Sequence, residues 1–408
     1  MTVAHSIDLT VPLAKRAPVV RAVILSDIHA TADGKPETNV NASATGAEKN
    51  ALDGASEKLL QVLDGAGVDL VLCPGDLIHG GKPEPIGWVW ERLLDLASDL
   101  GAMLIGATGN HDLLRKPTLG KSPFDPLRAL EPPFPIGNET QLNSYWANDF
   151  GVERGNNWQL VTMNSCALHG GFNEEETEVG RFRESCLKEL SRSLENTQET
   201  VAAVNICMIH HHPVEWTHGG DRPASHLQSG DLLIDLLDRR PERWIVVSGH
   251  KHYPELGYLG HGTNGPVWIA AGSIGADLLR DTSIRVRNQM HVVDVVLDAA
   301  TSVGLTTAGE IRSFDWQPGF GWTDALASSG LPARCGFGYR RDSLELVNEL
   351  RACLARVKRT SIRWAELVRE DPRWHFLTPN DRRVFLEAVR VAGGGVTGRD
   401  EEFEMTLP

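Results

Sequence analysis

Six short apolar runs, each continuous and each closed by a polar turn, constrain this chain more than any other feature. Val19–Leu25 ends in Ser26-Asp27, Val68–Cys73 in Pro74-Gly75-Asp76, and Ala102–Ala107 runs into Gly109-Asn110-His111. Trp158–Met163 precedes Asn164-Ser165, Val201–Ile209 precedes His210-His211-His212, and Trp244–Val247 precedes Ser248-Gly249-His250. Runs of this kind read as strands buried on both faces. Helical patterns lie between several of them, at Ser56–Leu63, Trp88–Leu100, Glu178–Leu194 and Asp231–Leu237. Strands alternating with helices predict a layered α/β domain.

Several classes of function are disfavoured by composition. The formal net charge of the 408 residues is -14, which repels long nucleic acid and anionic membranes. A small phosphorylated substrate stays compatible, because bound cations reverse the field locally. Glu174-Glu175-Glu176 and Glu401-Glu402 read as solvated surface. No apolar run approaches the roughly 20 residues that span a bilayer. No basic stretch followed by an apolar segment marks a leader. Cys73, Cys166, Cys186, Cys207, Cys335 and Cys353 lie far apart and form no CxxC pair, so they read as buried free thiols. A reducing, cytoplasmic location is the expectation.

Two segments resist assignment: Thr31–Asn50, rich in Gly, Asn, Thr and Ala, and Leu113–Thr140, which holds Pro132-Pro133. Loops this long are usually functional or disordered, and these two are expected to border the site and set substrate choice. Beyond about Asp315 the pattern changes. Ser343–Val357 and Asp381–Val391 read as amphipathic helices, and Gly393-Gly394-Gly395 breaks the second. The expected division is an N-terminal extension over 1–18, a main domain over 19–315, and a mainly helical appendage over 316–408 that caps the site, mediates dimerisation or binds a partner.

The chemistry-bearing residues follow the strands directly, where open α/β sheets gather their ligands. Asp27 and His29 follow the first run, Asp76 the second, Asn110 and His111 the third, the histidine triplet the fifth, and His250 and His252 the sixth. The spacing in Asp27-Ile28-His29 and His250-Lys251-His252 puts two side chains on one side of an extended segment. Carboxylate and carboxamide oxygens favour Mn or Mg, and imidazole favours Zn, Fe, Mn or Ni. Any one of these turns alone is ordinary turn chemistry. Five of them, all after strands, point to a metal centre. No GxxxxGK[ST] run indicates a P-loop.

Asp27-x-His29, Gly75-Asp76, Gly109-Asn110-His111-Asp112, a histidine before Pro213, and Gly249-His250-x-His252 together resemble the motif set of the calcineurin-like metallophosphoesterase superfamily, in its order, over roughly Ala22 to Tyr253. The nearest likeness is to bacterial class III cyclic nucleotide phosphodiesterases. The resemblance implies a four-layer α/β/β/α sandwich with two mixed sheets inside. It assigns Asp27, His29 and His252 to one divalent cation. Asn110, His250 and a histidine of the triplet fall to a second, with Asp76 bridging. Counting back from Pro213 selects His211, with His210 the runner-up. His111 becomes the acid for the leaving oxygen or a donor to the phosphoryl group. Asp112 either orients it or caps a helix. The implied cofactors are two divalent ions, manganese first, with Fe, Zn or Mg as alternatives, and the nucleophile is metal-activated water.

The expected reaction is hydrolysis of a nucleotide-like phosphodiester or phosphomonoester. The rivals are a nuclease acting on DNA or RNA and a non-catalytic scaffold on the same fold. A homo-oligomer through the appendage is a further expectation. His79, three residues after Asp76, reads first as a loop histidine, as do His169, His218 and His226. The Gly272-Ser273 turn reads as structural.

Overall fold

The computed structural model describes residues 18–32, 38–43, 50–135, 137–169, 178–195, 202–215, 225–260, 265–278, 286–297, 305–398 and 403–407. Residues 1–17 of the extension expected over 1–18, both acidic clusters and His218 lie outside these residues. The chain divides into a larger unit, Val20–Val293 with Arg312–Ala333, and a smaller one, Met1–Val19, Asp294–Ile311 and Arg334–Pro408.

In the larger unit, β1 (Val20–Ile24), α1 (Ala51–Val62), β2 (Leu70–Cys73), α2 (Ile86–Leu100) and β3 (Met103–Gly106) alternate as the sequence predicts. α3 (Asp125–Arg128) and α4 (Glu139–Asn148) follow, then β4 (Phe150–Arg154), β5 (Trp158–Met163), α5 (Ser185–Glu195), β6 (Val204–Ile209), α6 (Gly230–Asp238), β7 (Trp244–Ser248), β8 (Glu255–Tyr258) and β9 (Val267–Ala270). β10 (Gln289–Leu297), β11 (Leu305–Gln317) and β12 (Gly321–Asp324) follow, with the stretch from Asp294 in β10 to Ile311 in β11 belonging to the smaller unit. One sheet runs β12-β11-β10-β1-β2-β3 and the other β4-β5-β6-β7-β9-β8. β1 to β3 are parallel in a register that pairs Ala22 with Leu70 and Leu70 with Met103. β5, β6, β7 and β9 are parallel, and β4 and β8 close that sheet antiparallel.

Both sheets are mixed, and each buries one face under helices. Val23, Val71 and Cys73 pack with Leu52, Leu59, Val89 and Leu93 of α1 and α2. Val161, Cys207 and Val246 pack with Leu190, Leu194, Leu233 and Leu237 of α5 and α6. The opposite faces are buried as well, with Ile24 and Leu72 in one sheet and Leu160, Ile206 and Val247 in the other. Each such side chain contributes about 1.5–3 kcal/mol of burial, enough to hold the strand ends where irregular turns need support. Among the described residues no helix is long and apolar enough to cross a membrane.

The smaller unit is built on β13 (Arg334–Tyr339), which pairs with β11, followed by α7 (Ser343–Val357), β14 (Ser361–Arg363), α8 (Trp364–Glu370), α9 (Pro379–Val391), β15 (Gly395–Thr397) and β16 (Glu404–Thr406). The last three strands form an antiparallel sheet in the order β14-β16-β15. Asp342 caps α7 through the Leu344 N–H at 2.8 Å, and Thr378 caps α9 through the Asp381 N–H at 3.1 Å, ahead of Pro379. Trp364, Trp374, Phe376, Phe385 and Phe403 fill its core. The boundary expected at 315/316 falls inside β11, and residues 312–333 group with the larger unit. The tail expected to be mainly helical also carries β14, β15 and β16, strands of three residues each.

Candidate metal centre

The turns beyond β1, β2 and β7 adopt a backbone that ordinary side chains avoid. Seven non-glycine described residues have positive φ, and five of them are Asp27 (52°), His29 (48°), Asp76 (55°), His250 (79°) and His252 (57°). Each such residue costs on the order of 1 kcal/mol and persists only where its surroundings impose it. Here they do. The Asp27 N–H donates to the Gly75 carbonyl and the His29 N–H to the Asp76 carbonyl, both at 3.0 Å. The Ser273 hydroxyl donates to the Asp27 carbonyl at 2.7 Å, so the turn read as structural supports this loop. Two glycines admit the close approaches. A Cβ on Gly109 would lie 2.1 Å from the Asp76 N and Oδ1, and one on Gly249 would lie 2.6 Å from Asp27 Oδ2.

On this frame the predicted side chains converge as two adjoining sets. In the first, Asp27, His29, Asp76 and His252 each offer one donor atom, all within 4.8 Å of one another. His29 Nε2 lies 2.9 Å from His252 Nε2 and 3.5 Å from Asp76 Oδ2, and His252 Nε2 lies 3.4 Å from Asp27 Oδ1. In the second, Asn110 Oδ1 lies 2.9 Å from His210 Nε2 and 3.2 Å from His250 Nδ1, while His210 Nε2 lies 3.5 Å from Asp76 Oδ2. Asp76 Oδ2 therefore sits 3.5 Å from a histidine nitrogen in each set. Its other oxygen accepts the His111 N–H at 2.8 Å.

The histidine of the triplet is corrected. His210, not His211, turns its ring toward Asp76 and Asn110. His211 pairs its Nδ1 with Ser165 Oγ at 2.8 Å, and its ring lies 4.4 Å from that of His250. β6 ends at Ile209, so the first histidine beyond the strand is the one delivered to the centre. His212 turns away to stack edge-on against Trp268.

Of the two readings of Asp112, capping is the one seen: its carboxylate closes the helical turn Asn110–Asp112 on the Gly109 N–H. It accepts the N–H groups of Gly109 (2.9 Å), Asp76 (3.1 Å) and Ile78 (3.1 Å), and so fixes the loop that carries Asp76. Burial pushes its carboxyl up to about 7, against those backbone hydrogen bonds. His111 is oriented instead by the Gly80 N–H, which donates to its Nδ1 at 3.0 Å. That bond places the ring proton on Nε2.

The electrostatics suit a pair of cations. Burial, with Asp27 and Asp112 nearby, raises the Asp76 carboxyl well above the ordinary carboxylate range. Burial also acts to raise Asp27, but His252, His210 and Ser26 prevail and hold it low. Burial and neighbouring histidines keep His29 and His250 far below the ordinary imidazole range, and burial lowers His210 to about 4. At neutral pH His29, His210 and His250 thus offer neutral imidazoles with lone pairs, the state metal binding requires of them, beside crowded carboxyl groups. Bound dications would offset the repulsion that raises Asp76. The residues fit a dinuclear centre of mixed oxygen and nitrogen donors.

Beside the first set opens a cavity of about 370 Å³ lined by His29, His79, His111, His252, Ala276, Asp277 and Leu278. The sequence reads His79 first as a loop histidine, with substrate contact the alternative. Its Nδ1 lies 3.3 Å from His29 Nδ1. His169 lies beside His211, with ring centroids 5.5 Å apart. His226 lines a separate cavity of about 620 Å³. Pro74 and Ser225, also missed, support the ligand rings: His210 Nδ1 reaches the Pro74 carbonyl at 2.8 Å, and His250 Nε2 reaches Ser225 Oγ at 3.0 Å. No spacing rule reveals such partners, since one is a backbone carbonyl and the other lies 25 residues upstream of its histidine.

Residues 20–254 match the family model described as calcineurin-like phosphoesterase, and residues 335–388 match a second, described as wHTH-Calcineurin_assc. No curated protein matches the chain in sequence. Similar solved structures include a dimetal phosphatase from Danio rerio, 13% identical, covering 79% of this chain and 100% of that one at a TM-score of 0.47. A purple acid phosphatase from yellow lupin (Lupinus luteus) seeds is 13% identical, covering 78% of this chain and 53% of that one at 0.49. Haemophilus influenzae NAD nucleotidase is 11% identical, covering 78% of this chain and 50% of that one at 0.36.

Proposed function

Because the chain belongs to the calcineurin-like phosphoesterase family and is thereby a metal-dependent hydrolase of phosphate esters, we propose that it acts on a small, nucleotide-like phosphodiester or phosphomonoester. Asp27 Oδ1, His29 Nε2, Asp76 Oδ2 and His252 Nε2 would hold one cation. Asp76 Oδ2, Asn110 Oδ1, His210 Nε2 and His250 Nδ1 would hold the other. The observation that carries this reading is the position of Asp76 Oδ2, 3.5 Å from both His29 Nε2 and His210 Nε2. The mixed donor set favours manganese among Mn, Fe, Zn and Mg.

When bound, the cations supply an acidified water as nucleophile and neutralise charge on the phosphoryl oxygens. The protein's own groups do the rest. Burial lowers His111 to about 3, with His79 and His252 adding to the effect, so its imidazolium is scarcely populated at neutral pH. It therefore acts through its Nε2–H as a neutral hydrogen-bond donor to a phosphoryl or leaving-group oxygen. That favours the donor role over the proton-delivering one. Asp112 and Gly80 hold Asp76 and His111 in place. The cavity of about 370 Å³ suits a compact substrate, and the net charge of -14 supports a small molecule over a polynucleotide. A cytoplasmic location belongs to the same proposal and is supported by the burial of all six cysteines.

The test is a panel of phosphorylated metabolites, cyclic nucleotides, bis-p-nitrophenyl phosphate and single-stranded oligonucleotides, assayed with added Mn²⁺ and with chelator. Chelator-sensitive hydrolysis confined to small molecules is expected. Preferential cleavage of oligonucleotides would establish the nuclease reading instead. A chain that retains no metal and hydrolyses nothing would be a scaffold.

A further inference from the structure

We propose that His79 is a positioning residue that fixes His29 as a ligand of the first cation; this rests on the metal-centre reading above. An imidazole that gives a lone pair from one nitrogen must carry its proton on the other, and a buried N–H needs an acceptor to hold the tautomer and the ring plane. Three of the four candidate ligand rings meet that requirement differently. His210 faces the centre through Nε2, and its Nδ1–H donates to the Pro74 carbonyl at 2.8 Å. His250 faces the centre through Nδ1, and its Nε2–H donates to Ser225 Oγ at 3.0 Å. His29 faces the centre through Nε2, which leaves its proton on Nδ1, and that atom lies 3.3 Å from His79 Nδ1.

The acceptor behind His29 is thus another imidazole. Accepting at Nδ1 obliges a neutral His79 to carry its own proton on Nε2. The backbone builds this pair deliberately. The Ala30 N–H donates to the Leu77 carbonyl at 3.0 Å and the His79 N–H donates to the Ala30 carbonyl at 3.1 Å, so the loop after β2 is laced, at Leu77 and at His79 itself, to the residue that follows His29. The rings meet edge to face, with centroids 5.4 Å apart and planes at 61°. His79 also stands 5.3 Å from the His111 ring on the wall of the same cavity. Misorientation of His29 would therefore be felt at the centre and not elsewhere in the core.

Titration calorimetry of Mn²⁺ into metal-stripped full-length protein tests this with two variants. His79→Leu removes the acceptor. His79→Asn keeps one, because the asparagine Oδ1 sits the same number of bonds from Cα as the histidine Nδ1. Loss of a partner behind a metal ligand typically weakens binding about 10- to 100-fold. His79→Leu is expected to weaken one of two Mn²⁺ sites by that amount and leave the other unchanged, whereas His79→Asn restores it to within a few-fold of wild type. Melting of the three metal-free proteins should coincide, which separates positioning from folding. Unchanged affinities in His79→Leu, or equal losses in both variants, would overturn the role of His79 alone. A wild-type chain that binds no Mn²⁺ would overturn the metal-centre reading itself.

Discussion

Replacing His210 and His211 one at a time separates two neighbours that sequence alone confuses. In His210→Ala the second set of donors drops from four atoms to three: Asp76 Oδ2, Asn110 Oδ1 and His250 Nδ1 remain. A partner one step removed from the ion is worth about 10- to 100-fold in affinity. Deleting a donor atom itself must exceed the top of that range, or about 2.8 kcal/mol at 1.4 kcal/mol per tenfold. His211→Ala removes a ring that touches His250 at a centroid distance of 4.4 Å and a hydrogen bond to Ser165 at 2.8 Å. Its cost to the ion should be about tenfold or less, the low end of the same range. Calorimetric titration of metal-stripped protein with Mn²⁺, supported by metal analysis after gel filtration, is the assay. His210→Ala should retain one tightly held ion per chain and His211→Ala two. The opposite pattern would refute the assignment and restore the histidine two places before Pro213.

Other changes probe the same frame. Asp76→Ala should abolish binding of both ions, since one oxygen faces both donor sets; two metals per chain in that variant would disprove bridging. Gly109→Ala should displace Asp76, because its Cβ would lie 2.1 Å from the Asp76 N and Oδ1; about 1–3 kcal/mol of lost stability and loss of bound Mn²⁺ are expected, by thermal melting and metal analysis. Away from the centre, burial lowers His291 to about 3, where its Nε2 accepts the Gly272 N–H at 3.2 Å. The unfolded chain takes a proton near pH 6.5 and the folded chain does not, so stability is full above that pH and falls as pH drops toward 3. At pH 5.5 the loss from this residue is about 1.4 kcal/mol; His291→Gln should flatten that part of the urea-unfolding profile, and an unchanged slope would count against it.

How far the sequence could be read follows from the physics of each element. Trp158–Met163 and Ser343–Val357 were placed to the residue, because a strand buried on both faces and a helix with one apolar stripe write their periods into the chain. The strand-end turns are legible because five of them, each ordinary alone, follow strands in succession. The choice between His210 and His211 was not, since the chain leaves the strand at Ile209 and alternation no longer says which ring faces inward. Nor was the work of Asp112, whose three backbone partners come from two different loops. The smaller unit was half legible. Its helices carry a period, whereas Ser361–Arg363, Gly395–Thr397 and Glu404–Thr406 are too short to show one.

The left-handed backbone at Asp27, His29, Asp76, His250 and His252 sets catalytic competence against thermal endurance. The sheets carry that conformational burden whether or not ions are present, so ion capture requires little rearrangement and its binding energy is retained as affinity. The reverse also holds. Asparagine or glycine at 29 or 252 would relax the turn and toughen the ion-free chain while discarding a ligand. A heat-resistance screen blind to activity would therefore converge on these positions and select away the chemistry.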